Sequence, residues 1–370
     1  MQRRTNVTRG KPDYILFFTV LTLLALGIVM VFSASFVRAE RFYGSRYYFL
    51  VRQVIWAAIG VTMMMFFMNF DCWRLRPVIP YLYGLSLLLL VLVLIPGIGK
   101  MANEARRWIK LGPINLQPAE LSKLTTLLFM ADSLARKKER VRGFWSGLFP
   151  YLVLLGLTFA LILAEPDLGT AVAVAASAGV MVFVAGANMW HLALVGAGAV
   201  PVLIWAIMSS EYRRERFFAF LDPWKDPMGS GFQIIQALYA LGSGHLFGTG
   251  VAYSRQKYFY LPEPHTDFIF AIIGEELGFI GSFVVLFSFF VIAWRGYRTA
   301  LAAPDRFSCI LAAGTTSLVV GQAIVNIGVV TGCLPITGIP LPFLSYGGSS
   351  LVVSLVCVGI LLNISRYAGR

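Results

Sequence analysis

Residues 261–294 read LPEPHTDFIFAIIGEELGFIGSFVVLFSFFVIAW. A proline pair and a histidine open the stretch, and an apolar run then continues to about residue 294. A run of that length reads as a helix that crosses a bilayer, which takes about 20 apolar residues. Three carboxylates, Asp267, Glu275 and Glu276, lie within it. Ionisable groups in a membrane span are expensive and mark function by default. The stretch therefore predicts a membrane helix with an aspartate at its mouth.

The rest of the chain follows the same pattern. It has 370 residues, 58% hydrophobic and 13% charged, with a mean hydropathy of +0.74. A soluble domain carries roughly 25% charged residues, so this chain has too little polar sequence to cover a core. Apolar windows predict ten spans, at about 15–37, 49–68, 78–99, 117–134, 148–164, 170–186, 191–209, 266–294, 307–330 and 345–366. The expectation is an all-α polytopic membrane protein, one domain over residues 1–370. The first span follows a basic tail (Arg3, Arg4, Arg9, Lys11) and resembles a secretory signal, with small residues at Ser33-Ala34-Ser35. Its apolar run exceeds the roughly 7–15 residues of a signal core, so it reads as a retained span.

An even number of spans puts both ends on one side. Lys and Arg concentrate in the basic tail, in the cluster Arg136-Lys137-Lys138 with Arg140 and Arg142, and at Arg295, Arg298 and Arg306. The short loops on the other side hold fewer: Arg38, Arg41, Arg46, Lys100, Arg106, Arg107 and Lys110. The asymmetry predicts both termini in the cytoplasm. One loop, about 210–265, lies on the outer face and is far longer than the others. Its aromatic and glycine-rich runs FLDPWKDP and GSGFQIIQALYALGSG predict an ordered, partly membrane-embedded segment. The net charge of +13 suits anionic lipid, with no nucleic acid needed as a partner. The four cysteines and three histidines show no metal-ligand spacing, so the sequence assigns no metal ligands.

Four places carry charge where the chain should be greasy. Arg52 sits near the outer end of the second span. Glu120 and Lys123 are three residues apart on the fourth, on one helix face. Glu165 and Asp167 lie in EPDLG between spans five and six. Asp267, Glu275 and Glu276 complete the set. Each has a bland reading. Glu120 with Lys123 suits a structural ion pair. Asp167 suits a helix N-cap, as does Asp267. Glu275 and Glu276 suit hydrogen bonds to neighbouring spans or loops. Taken jointly, Arg52, Arg106, Arg107, Lys110, Glu120, Lys123, Asp167 and Asp267 fall near the outer surface and could line one polar cavity. Cations there suit a pyrophosphate, and a carboxylate beside it suits a general base.

Several longer runs carry a resemblance. They are RRWIKLGPINLQPAELSKL (106–124), EPDLGTA (165–171), FLDPWKDPMGSGFQIIQALYALGSG (220–244), SRQKYFYLPEPHTDFIFAIIGEELGFIG (254–281), NIGVVTG (326–332), LPITGIPLPFLSYGGSS (334–350) and the terminal ISRYAGR. In this order they resemble the SEDS family (shape, elongation, division and sporulation), and NIGVVTG and ISRYAGR resemble its FtsW and SpoVE branch. The chain departs from the family in PEPHTD for PEAHTD, GSGH for GSGG and Ala119 for Ser. None of these removes an ionisable group.

The resemblance implies ten transmembrane helices in the bacterial cytoplasmic membrane and a peptidoglycan glycosyltransferase serving cell division or sporulation. It implies lipid II as donor and acceptor, with Asp267 as the catalytic residue. Glu120, Lys123, Arg52, Arg107 and Asp167 are the implied substrate-binding residues. It implies help from a divalent cation, Mg²⁺ or Mn²⁺, and no organic cofactor. The implied partners are a class B penicillin-binding protein, which is a transpeptidase, and other divisome or sporulation cell-wall proteins. Two rivals remain open at this point: a lipid II flippase, and a non-catalytic scaffold for the transpeptidase.

Overall fold

The computed structural model describes residues 10–102, 105–112 and 114–368. Arg3, Arg4 and Arg9 of the basic tail lie outside the described residues. The ten expected spans are helices: α1 (Tyr14–Tyr43), α2 (Tyr48–Asn69), α3 (Ile79–Leu94), α4 (Pro118–Lys137), α5 (Phe149–Ala164), α6 (Leu168–Val184), α7 (Met189–Met208), and, after two helices of the long loop, α8 (Glu211–Leu221) and α9 (Phe232–Ser243), the spans α10 (Ile269–Leu301), α11 (Arg306–Val330) and α12 (Gly348–Ser365). Among the described residues seven helical segments are long and apolar enough to cross a membrane, α5 together with the turn before it (Phe144–Ala164), and α3 and α6 are shorter apolar helices. The remaining one, α4, carries Glu120, Lys123 and Asp132, yet these and most of its other residues are buried among its neighbours.

Helices α11 and α12 form the centre: α11 packs on α4, α6, α10 and α12, and α12 on α2 and α4. At the other extreme, α7 buries only Ala206. In lipid such packing rests on close van der Waals contact and on polar groups finding partners. Asp13 shows how one side chain does both. It caps α1 by accepting from Ile15 N and Leu16 N, and its other oxygen takes Arg295 Nε of α10 at 2.6 Å. The two ends of the described chain meet on the same face, where Gly10 N donates to Arg366 O at 2.8 Å. That agrees with an even number of crossings.

Several span ends differ from the sequence reading, α1 running on to Tyr43 and α10 to Leu301, and two differences bear on the site. The third span ends at Leu94, not 99. Beyond it stand three short antiparallel strands, β1 (Gly99–Ala102), β2 (Ala105–Leu111) and β3 (Ile114–Leu116), in the order β1-β2-β3. The strands satisfy the backbone of a connection too long to stay unpaired near a membrane. The eighth span begins at Ile269 instead of 266, so Asp267 precedes the helix.

The long loop is ordered, as expected, and part of it runs alongside a membrane helix. Helix α10 kinks at Gly278, whose φ of 67° and ψ of −162° break the helical ladder. The freed carbonyls take N–H groups from the loop: Thr249 N donates to Glu275 O at 2.9 Å and Gly250 N to Glu276 O at 3.0 Å. In return His245 O accepts from Phe279 N at 2.9 Å. A Cβ on Gly278 would lie 2.3 Å from Gly248 N, so this close approach requires glycine. At 1.5 Å per residue, the contact lies roughly 10 Å along α10 from its start.

Glu275 and Glu276 pin the same segment, which matches their bland reading. Ser33 of α1 donates to Glu276, and Lys257 Nζ reaches Glu276 Oε1 at 3.2 Å with both side chains at 0% exposure. Arg255 N donates to Glu275 Oε1 at 2.7 Å, and Ser254 Oγ donates to Glu275 Oε2. An ion pair so deep is held because every charge has several partners.

Candidate active site around Asp267

Asp267 stands two residues before α10, in a loop fixed from several sides. The N-cap of α10 is Phe268, and no side chain caps that helix. The Asp267 carboxylate is therefore not a cap. Its Oδ1 lies 2.9 Å from the Thr266 hydroxyl, and it is only partly exposed. Burial raises its pKa above the ordinary carboxylate range. The Thr266 hydrogen bond and the positive charge of Arg216 offset part of that rise.

The backbone around Asp267 is held by a buried amide. Asn326 Nδ2 of α11 donates to Asp267 O and to Ile339 O, each at 2.7 Å. Asn326 thus ties the aspartate loop to the segment 334–340, whose Gly338 faces the Asp267 carboxylate. Ile339 and Thr337 continue to α6, where they fill the space that a Cβ on Gly169 would need. On the other side, Tyr346 N donates to His265 O at 2.8 Å. His265 is buried against Phe49, and burial lowers its pKa to about 3, leaving it neutral.

The other candidate residues reach this centre through a chain of contacts. Asp167 caps α6, accepting from Thr170 N at 3.1 Å and Thr170 Oγ1 at 3.0 Å. The cap reading of Asp167 is thereby the observed one. Gln117 Nε2 donates at 3.4 Å to Oδ2, the oxygen that also accepts from Thr170 Oγ1. Glu120 and Lys123 pair at 2.7 Å one turn further into α4, both buried. Arg107 Nε donates to Glu165 O at 2.9 Å, and Arg107 Nη2 donates to Pro166 O, so it closes the end of α5. Arg52 is exposed on the first turn of α2, lies over the Tyr48 ring at 4.4 Å and bonds the Tyr346 side chain. Arg107 and Asp167 thus stand at the junction of α5 and α6, Gln117 links Asp167 to the start of α4, and the Glu120–Lys123 pair follows on α4. Asp267 lies beside Gly338 of segment 334–340, and Arg52 is linked to His265 through Tyr346. Lys110 is exposed on β2, and Arg106 is half-buried there.

Glu165 is fully buried with neither carboxylate oxygen hydrogen-bonded. Burial, reinforced by the charge of Asp167 and partly offset by Arg107, pushes its pKa up to about 9. It is an uncharged acid at neutral pH. Asn326, Gln117, Arg216 and Lys257 were not singled out from sequence as site residues. Asn326 carried a usable signal, since a primary amide in the middle of an apolar span needs buried partners.

The family described as "Cell cycle protein", comprising FtsW, RodA and SpoVE, matches residues 14–370. The chain belongs to the FtsW/RodA/SpoVE family. It is 48% identical over 360 residues to stage V sporulation protein E of Bacillus subtilis (strain 168), covering 97% of this chain and 98% of that protein. It is 47% identical over 355 residues to a probable peptidoglycan glycosyltransferase FtsW of Trichlorobacter lovleyi, covering 95% and 93%. A chain of a solved peptidoglycan synthase complex that coordinates polymerization and crosslinking superposes with a TM-score of 0.78 at 34% identity, covering 96% and 98%. FtsW/RodA/SpoVE membership agrees with the ten-span reading, and the chain is a multi-pass membrane protein.

Proposed function

We propose that this chain is a peptidoglycan glycosyltransferase that polymerises lipid II at the outer face of the cytoplasmic membrane, with both termini in the cytoplasm. The observation that carries this reading is Asp267: a carboxylate that caps nothing, has a raised pKa, and stands where a membrane span meets the long loop. The 4-hydroxyl oxygen of the acceptor sugar attacks the anomeric carbon of the donor. Its proton goes to an Asp267 oxygen. The bond from the anomeric carbon to the pyrophosphate breaks, and the electron pair leaves with undecaprenyl pyrophosphate. Raised basicity brings the carboxylate nearer to the working pH, which favours proton uptake. Arg107, Arg52 and Lys123 are the cations available to the leaving group, and Glu120 orients and neutralises Lys123.

Family resemblance also implies a divalent cation. Among the described residues no three His, Cys, Asp or Glu side chains gather into a metal-binding group. The residues present do not build a protein-only metal site, and no step above uses one. A flippase would need charge along a path to the inner face. On α4 the next ionisable group after Lys123 is Asp132, and it is already bound by Arg76 and Arg136, so the glycosyltransferase reading is preferred. The expected partner is a class B transpeptidase, in keeping with the polymerization and crosslinking complex that the fold resembles. Purified protein supplied with lipid II should form glycan strands detectable by gel, with or without the transpeptidase. A protein that moves lipid II across vesicles but never joins it would exclude this function.

A further inference from the structure

A cavity of about 270 Å³ adjoins the aspartate loop. Its walls are Tyr212, Glu215 and Arg216 of α8 and Gln233 at the start of α9, with Pro262 and Ile336 closing it. Pro262 lies in the loop that carries Asp267, and Ile336 in the segment whose Gly338 faces the carboxylate. Arg216 lines the cavity and its charge also reaches Asp267. Helix α9 holds this wall in place, because Ile234 and Leu238 pack beneath Gly332.

The cavity chemistry differs from that around α4 and α6. Its one arginine stands next to Glu215 and stacks on Tyr212 at 4.3 Å, so it presents no net positive charge for a pyrophosphate. It offers a ring face, an amide, a carboxylate and a guanidinium, which are directional donors and acceptors around an apolar surface. That set suits a neutral, hydroxyl- and amide-rich saccharide. The volume falls just below the roughly 300 Å³ at which ligand pockets begin, in keeping with a fragment of a larger ligand.

Joining two sugars requires two sites with different needs, both within reach of one base. The donor must leave its pyrophosphate beside cations, and Arg107 of β2 and Lys123 of α4 are such cations. The acceptor keeps its pyrophosphate and must only present a hydroxyl to Asp267. We propose that the cavity between α8 and α9 binds the acceptor sugar, and that the donor reaches Asp267 from the side of the cations on β2 and α4. This rests on the glycosyltransferase reading.

The test uses two probes in a single-coupling assay with the full chain: lipid II with its terminal 4-hydroxyl capped, which acts only as donor, and a soluble disaccharide-peptide lacking the lipid pyrophosphate, which acts only as acceptor. Gln233→Ala and Glu215→Gln should each raise the acceptor KM about tenfold while the donor KM stays within twofold. Ser230→Phe, which fills the cavity from its exposed rim, should have the same effect. An equal rise in both KM values, or no rise in either, overturns the assignment. Asp267→Asn is run in parallel. If it abolishes coupling while the cavity variants bind acceptor normally, only the acceptor site is wrong. If it couples at the normal rate, the glycosyltransferase reading fails and takes this inference with it.

Discussion

Replacing Glu165 by Gln should change how the stability of the protein depends on pH. The Glu165 carboxyl is fully buried without a hydrogen bond, and its pKa rises from 4.5 to about 9 on folding. A group raised on folding gives stability that is complete below its unfolded pKa and is lost as pH climbs toward its folded one. The window is therefore pH 4.5 to about 9. Inside it the folded protein loses about 1.4 kcal/mol per pH unit from this one group. Between pH 6 and pH 8 that amounts to about 2.7 kcal/mol, or about 5 °C in Tm at about 2 °C per kcal/mol. Gln does not titrate. The Tm of Glu165→Gln minus that of the wild type should thus rise by about 5 °C from pH 6 to pH 8. Other groups titrate alike in both proteins, so the difference isolates Glu165. Scanning fluorimetry in detergent at several pH values measures it. Two curves that run parallel across this range would refute the claim that Glu165 is held as a neutral acid.

Further expectations follow from the buried pairs and from topology. Lys257→Met leaves Glu276 charged at 0% exposure and should lower stability by about 3–5 kcal/mol. Arg38→Ala, which breaks the half-exposed pair with Glu263, should cost under about 1 kcal/mol; similar Tm losses for both would contradict the buried-network account. The double variant Glu120→Gln with Lys123→Met should lose at least tenfold of lipid II polymerisation, and normal activity would make the pair purely structural. In a Cys333→Ser background, Lys225→Cys should react with an impermeant thiol reagent applied to intact cells, and Glu139→Cys should not. The reverse labelling would invert the topology.

The spans were legible because length and apolarity are local properties. Even α4 could be read, since its charged residues interrupt an otherwise continuous run. The sheet was not read, because strands as short as Ile114–Leu116 pair only with each other and sit beside a strong apolar signal. Helix α8, EYRRERFFAFL, has no apolar stripe to announce it. Asp267 could be singled out because a charge before a span is conspicuous. The role of Arg107 could not, since it depends on bonding carbonyls at residues 165 and 166, a contact only the tertiary fold creates. Asn326 escaped because it carries no charge, although it holds both Asp267 and Ile339.

The central claim is that the Asp267 carboxylate takes a proton from the acceptor hydroxyl. Asn matches its size and keeps one oxygen as an acceptor, but it cannot take up that proton. The backbone bond from Asn326 is untouched by the change. The most direct measurement is the initial rate of lipid II polymerisation by purified wild-type and Asp267→Asn proteins, matched for membrane insertion and Tm. A general base predicts a fall of roughly two to four orders of magnitude. An Asp267→Asn protein that polymerises lipid II within a few-fold of the wild-type rate would contradict the account.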